Sequence, residues 1–299
     1  MRSLVTGGQG FIGSVLVKKL LNECKDDVIV IDNNSSNNKN NFNVKGAKYY
    51  NVDLNNFDKI FPLFKDVDRV FHLAADVSIE FCNKNPRISG INNSNITLNT
   101  LECCRLNKVK KYIYSSTSAV YEQKNTKLKE TDNVRPLNLY SASKLFGENL
   151  CKIYYDLYGV ETICLRYFNV FGSSMKKSPY SSVLVNFLNN ESENKPLIVH
   201  GNGKQTRDFV FVEDVAQANI IASTLKLKKY GKIYNIGSGK SMSIIDLAKK
   251  ISNNITFVKS RSGDIKNSCS DIKRLKKDFN WKPEVKIEKW LNKIIKTNV

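Results

Sequence analysis

The 299-residue sequence predicts an α/β fold, a doubly wound parallel sheet followed by a smaller C-terminal α/β lobe. Three observations lead there. Short β-branched runs alternate with helical patterns through the first half, which implies βαβ units and right-handed crossovers. A glycine-rich turn, "TGGQGFIG", joins the first run to the first helical pattern. Beyond Tyr167 the alternation loosens into loops such as "NVFGSSMKKSPYSS" and "HGNGKQTRD".

Taken in order, "SLVTG" reads as a strand and "FIGSVLVKKLLNEC" as a helix with apolar residues at helical spacing. "DVIVID" is the second strand, and the Asn-rich tract at 33–43 is the loop after it. A third strand is expected to end at Asp53 in "NVDLNN", and a fourth lies in "VDRVFHLAA". "ITLNTLECCRLNKV" is helical, "VKKYIYSS" a strand, "SASKLFGENLCKIYYDLYG" a long helix and "VETICLRYF" a strand. Later come a helix at "VEDVAQANIIASTL" and short strands near "IYNIG". The expected division is residues 1–166 as one lobe, to which 207–228 returns, and 167–206 with 229–299 as the other.

Composition bounds the function. Hydrophobic residues make up 41% and charged residues 25%, as in an ordinary globular chain. No apolar run reaches the roughly 20 residues that cross a bilayer, and the N-terminus lacks a signal-peptide cleavage pattern, so a cytoplasmic protein without a membrane partner is expected. The formal charge is +19, but the lysines are dispersed, and the dense pieces "TLKLKKYGK" and "DIKRLKKDF" read as solvated helix ends. No nucleic-acid partner is expected. The seven cysteines form no C-x-x-C pair and have no histidine at ligand spacing, which points to reduced thiols and no metal.

Gly7, Gly10 and Gly13 fall between a strand and a helix, where a turn needs positive φ and the backbone must approach a pyrophosphate. The helix N-terminus then offers N–H groups to the anion. The sheet is therefore Rossmann-type. Asp32, at the end of "VIVID", stands where a carboxylate accepts both ribose hydroxyls, which favours NAD over NADP. Asp53 reads equally well as a contact for the adenine amino group or as a helix N-cap.

"YSASK" places Tyr140 and Lys144 on one helix face. In a chain with 13 tyrosines and 47 lysines and arginines that pattern proves nothing alone. Together, however, "TGGQGFIG", "HLAA", "SSTSAVY", "YSASK", "LRYFNVFG" and "QTRDFVFVEDV" resemble the extended short-chain dehydrogenase/reductase family, in particular its nucleotide-sugar epimerases and dehydratases. The resemblance implies that Tyr140 is the acid–base residue and that Lys144 and an oxidised nicotinamide lower its pKa. It implies that Thr117 hydrogen-bonds the same sugar oxygen, with Ser116 the adjacent candidate. It also implies that Phe11, Ile12, Asn33, Leu54, Leu73, Ala74, Ala75, Asn93, Ser115, Ser116 and Tyr167 line the cofactor. Arg207 and Arg261 would clamp a substrate diphosphate, Asp264 would meet the nucleotide ribose, and Asn169 and Val183 would approach the substrate.

The related 4,6-dehydratases carry an Asp-Glu pair after the threonine, where this chain has Ser118-Ala119, which supplies neither acid nor base. That leaves 4-epimerization, and the resemblance implies a UDP-sugar as the substrate. Ser268, where galactose-specific relatives place a bulky tyrosine, implies room for UDP-N-acetylglucosamine beside UDP-glucose. A UDP-uronate epimerase or reductase is the alternative, and a non-enzymatic dinucleotide- or RNA-binding relative the more distant one. The resemblance further implies a homodimer through the helices at 87–107 and 139–158.

Overall fold

The computed structural model describes residues 1–35, 43–173, 175, 182–260 and 265–297. β1 (Arg2–Thr6) leads through the glycine turn into α1 (Phe11–Asn22), and β2 (Asp27–Ile31) and β3 (Lys48–Tyr50) follow. Because β3 stops at Tyr50, Asp53 lies on the loop beyond the strand instead of at its end. Next come α2 (Phe57–Ile60), β4 (Arg69–His72), α3 (Ile79–Lys84), α4 (Pro86–Leu106), β5 (Lys111–Thr117), α5 (Leu139–Tyr158) and β6 (Glu161–Tyr167). The elements then shorten: β7 (Asn169–Phe171), α6 (Val183–Ser192), β8 (Leu197–His200), β9 (Thr206–Arg207), β10 (Phe209–Phe211) and α7 (Val212–Thr224). β11 (Lys232–Ile236), β12 (Met242–Ser243), α8 (Ile244–Ile251), β13 (Ile255–Val258), α9 (Lys273–Phe279) and α10 (Ile287–Thr297) complete the order.

Among the described residues the main sheet has seven strands in the order β11-β6-β5-β4-β1-β2-β3, all parallel. The order reverses between β1 and β4, which in such a sheet opens a crevice at the strands' carboxyl ends. Near-continuous apolar strands such as "SLVT" and "VIVI" are what two covered faces require. One face packs Val5, Leu16, Val30, Ile163 and Val215 under α1 and α7. The other packs Leu4, Ile31, Tyr112, Tyr114 and Cys151 under α4 and α5.

A separate core joins Phe171, Leu184, Phe187, Val199, Leu247 and Trp290 across α6, β8, α8 and α10. β11 belongs to the main sheet, not to this second core, although the sequence division put 229–299 there. Its register against β6 runs from Lys232↔Ile163 to Ile236↔Tyr167. α9 follows it, with Leu275, Phe279 and the following Trp281 buried in the first core.

Local chemistry sets the ends of α5. Asn138 and Ser141 form a reciprocal capping box at its start, and Gly159 adopts φ +70° at its end. Gly147 lets the helix sit close: a Cβ there would lie 2.2 Å from the Tyr114 hydroxyl. Any side chain would lift α5 off β5.

Candidate active site

The residues picked out by motif gather at the carboxyl ends of the main sheet. Gly7 leaves β1 with φ +68°, and a Cβ on it would come within 2.8 Å of the Ala74 backbone nitrogen. A Cβ on Gly13 would meet the Gly7 carbonyl oxygen at 2.2 Å. Gly7 thus lies tight against Leu73 and Ala74, and Gly10 and Gly13 close the turn onto the Gly7 carbonyl, forming a cradle. The Leu73 N–H donates to the Thr6 carbonyl at 3.2 Å and the Ala74 N–H to the Thr6 hydroxyl at 3.3 Å. No side chain caps α1 at Gly10, so the N–H groups of Phe11, Ile12 and Gly13 lie at an uncapped helix start beside the cradle. That is the donor set a pyrophosphate needs.

Asp32 follows β2 and accepts from the Gln9 N–H and the Asn34 N–H, both at 3.0 Å. These bonds fix the carboxylate beside the glycine turn. Asp53 accepts from the Asn55 N–H at 2.8 Å, an Asx turn, and the cap of α2 is Asn56. The N-cap reading of Asp53 therefore falls. Asn33 and Asp53 line a cleft of about 850 Å³ with Asp76, Phe81, Ile88 and Asn92, while Leu54 is buried beneath.

The motif scan missed the asparagines of α4 that organise this end. Asn99 donates to the Leu54 carbonyl at 2.9 Å, Asn95 to the Asn55 side chain at 2.7 Å and Asn92 to Asp76 at 2.8 Å. Their signal is the spacing 92, 95, 99, which is one helix face. Asn93, on the next face, is buried and fully bonded. Its side-chain Oδ1 accepts from the Asp76 N–H at 2.7 Å, and its side-chain amide donates to the Asp76 carbonyl and the Ser143 hydroxyl, each at 3.1 Å.

Thr117 ends β5 and Tyr140 lies in the first turn of α5, and the threonine side chain is within hydrogen-bonding reach of the phenol. Strand alternation turns Ser116 the other way, where its hydroxyl donates to Glu148 at 2.5 Å. Thr117 is therefore the residue that meets Tyr140. Ser115 shares the face of Thr117, and its hydroxyl pairs with the Tyr167 hydroxyl at 2.9 Å, which donates on to Asn219 at 2.9 Å.

The expected lowering of the Tyr140 pKa by Lys144 is not found in the protein alone. Burial pushes the phenol up to about 12, and the Thr117 hydrogen bond is the opposing influence. Burial also acts on Lys144, bringing its ammonium down to about 8 against the pull of Cys151, Glu148 and Cys164. The Lys144 Nζ lies over the Tyr114 ring, 4.9 Å from its centroid.

On the other side of the crevice, Asn169 is half-buried on β7, its N–H donating to the Asp208 carbonyl at 2.9 Å. Val183 starts α6 and packs against the second core. Arg207 donates to the carbonyls of Thr206 at 2.9 Å and Ile265 at 2.6 Å, which ties it to the segment following Asp264. Arg261 and Asp264 themselves lie outside the described residues. Ser268 is buried, its N–H 3.4 Å from the Thr206 hydroxyl. Asp208 gathers five donors: the N–H and hydroxyl of Ser238, the Gly239 N–H, and the N–H and hydroxyl of Ser270, at 2.5–3.1 Å. Asp208 thereby orders the two loops that carry these donors.

Comparisons with known proteins bear on this arrangement. The family model described as "NAD dependent epimerase/dehydratase family" matches residues 3–237. A putative UDP-glucose 4-epimerase of Methanocaldococcus jannaschii is 38% identical, over 98% of this chain and 96% of its own. A UDP-N-acetylglucosamine 4-epimerase from Methanobrevibacter ruminantium, solved with UDP-N-acetylmuramic acid, superposes with a TM-score of 0.91 at 36% identity, covering 99% of this chain and 97% of that one. A UDP-glucuronic acid 4-epimerase from Bacillus cereus, solved with UDP-glucuronic acid and NAD, gives 0.87 at 31% identity with all of both chains covered.

Proposed function

The chain belongs to the NAD dependent epimerase/dehydratase family, and we propose that it is an isomerase that inverts C4 of a UDP-hexose. Among the hexoses UDP-N-acetylglucosamine and its galacto epimer come first, with UDP-glucose second. The observation that carries the reading is the meeting of Thr117 and Tyr140 at the carboxyl edge of a dinucleotide-binding sheet, with Ser118-Ala119 following.

NAD bound along the cradle of Gly7, Gly10 and Gly13 and the Asp32 carboxylate would accept hydride from C4 and return it. The chain's own groups handle the proton. Tyr140 takes it from the sugar 4-hydroxyl and Thr117 hydrogen-bonds the same oxygen. Lys144 stands one helical turn away, and its ammonium together with an oxidised nicotinamide would favour the phenolate over the partly buried phenol. The keto sugar then turns its other face and Tyr140 gives the proton back. Neither Ser118 nor Ala119 is an acid or base for eliminating water, so the cycle closes without net change of cofactor.

Arg207, Arg261 and Asp264 are the proposed diphosphate and ribose contacts, and Asn169, Val183 and Ser268 the proposed sugar-side residues. The small, buried Ser268 supports an N-acetylated sugar, as does the likeness to the UDP-N-acetylglucosamine enzyme. A uronate substrate is the second reading, supported by the likeness to the UDP-glucuronic acid enzyme. We further propose a homodimer. Ile88, Ile91 and Leu98 on α4 and Leu139, Phe146, Ile153 and Leu157 on α5 are exposed. The 139, 146, 153 spacing is that of a helix–helix seam.

The test is incubation with UDP-N-acetylglucosamine, UDP-glucose and UDP-glucuronate in turn, followed by NMR of the anomeric protons. Conversion of the first, reduced roughly 1,000-fold or more in Tyr140→Phe, supports the reading. Conversion of the glucuronate alone moves the substrate to the second reading, and no conversion of any with NAD supplied refutes 4-epimerization.

A further inference from the structure

We propose that Glu148 is a positioning residue for the chemistry at Tyr140: its carboxylate fixes how deeply α5 sits on the strands carrying Thr117 and Tyr167, and its charge faces Lys144. The functional part of this rests on the epimerase reading. Residues 140, 144 and 148 repeat every four positions and so lie along one stripe of the helix. Glu148, with 4% of its surface exposed, is buried at the inner end of that stripe.

Three bonds converge on its carboxylate. The Ser116 hydroxyl donates at 2.5 Å, the Arg166 Nε at 2.8 Å to the same oxygen, and an Arg166 terminal nitrogen at 2.6 Å to the other. Ser116 and Arg166 face each other in the register of β5 and β6, and the next pair in that register is Thr117↔Tyr167. One carboxylate thus pins α5 to the rung adjacent to the catalytic one. Gly147 permits this depth, since a Cβ there would strike Tyr114. A shift of α5 would carry Tyr140 away from Thr117.

The charges around the stripe are few. Lys144 is faced by the Tyr114 ring from β5, His72 from β4, Cys164 from β6, and Glu148 and Cys151 on its own helix. His72 is held neutral by burial, its ring nitrogens at 2.8 Å from Thr6 and 3.2 Å from Thr97. Glu148 is faced by Arg166 from β6, with Tyr114 and Cys164 nearby. The Arg166 guanidinium stacks 4.4 Å from the centroid of the Tyr121 ring. Glu148 is therefore the carboxylate that offsets two buried cations. Without its charge the Lys144 ammonium is held less firmly, and the alkaline side of the reaction is lost sooner.

The experiment compares wild type, Glu148→Gln and Asp26→Asn. Asp26 is the matched control: it pairs with Arg69 at 2.6 Å and with the Ser3 hydroxyl at 2.5 Å, equally buried but at the opposite end of the strands. Lys144 is titrated by NMR of 13C-lysine-labelled protein without substrate, its signal identified by its loss in Lys144→Met. Its midpoint near 8 in wild type is expected to fall by about one unit in Glu148→Gln and to stay in Asp26→Asn. The alkaline limb of kcat should move with it, with KM little changed. A Lys144 midpoint and an alkaline limb unmoved in Glu148→Gln overturn the proposal. A moved midpoint in a protein that epimerises nothing upholds the contact and removes the epimerase reading instead. If Glu148→Gln does not fold, Ser116→Ala is read in its place: a several-fold loss of kcat at constant KM supports the proposal, and wild-type kcat overturns it.

Discussion

Lys144 carries a charge where charge is costly. Its folded pKa of about 8 lies below the ordinary 10.5, so the fold disfavours the ammonium. The penalty is full below pH 8 and fades as pH rises from 8 toward 10.5. Lys144→Met should therefore raise stability at pH 7 by on the order of 3 kcal/mol, with the gain gone near pH 10.5 and activity lost throughout. Urea denaturation at the two pH values checks this, and equal gains at both would refute it. That Tyr140 and Lys144 share one helix face was legible from their spacing, because helix periodicity is local. Their proton affinities were not, because burial comes from β4, β5 and β6, far away in sequence. The same is true of Ser116 and Thr117: adjacent hydroxyls look interchangeable until the strand's alternation turns one toward Glu148 and the other toward Tyr140.

α5 buries ionisable side chains on one face and presents bare hydrocarbon on another. Its buried stripe holds Lys144 and Glu148, while Phe146 and Ile153 are close to half exposed. If a second copy covers that outer face, Phe146→Glu with Ile153→Glu should convert dimer to monomer in analytical ultracentrifugation, with Tyr140 still in place. A pair of variants that sediments as wild type would rule out this seam. Helix and strand identities were readable along most of the chain because apolar periodicity and turn residues are written locally. Sheet membership was not. "IYNIG" reads as a short strand anywhere, and only the pairing of Lys232–Ile236 with Ile163–Tyr167 places β11 on the main sheet.

Asp208 ties together three stretches of chain that are distant in sequence. It lies between β9 and β10, and its five donors come from the loop after β11 and the stretch before α9. Asp208→Ala strands those donors and should cost about 3 kcal/mol or more, seen as a lower urea midpoint. An unchanged midpoint would mean the loops hold without it. The arrangement of β11 has a further consequence for how the chain is made. Until Ile236 has left the ribosome, β6 has no neighbour on one side, and its row of N–H and C=O groups is an open template. At a synthesis rate of about 5–20 residues per second, the gap between Tyr167 and Ile236 leaves that template bare for several seconds. The nascent N-terminal portion is thus the form of this protein most in need of a chaperone.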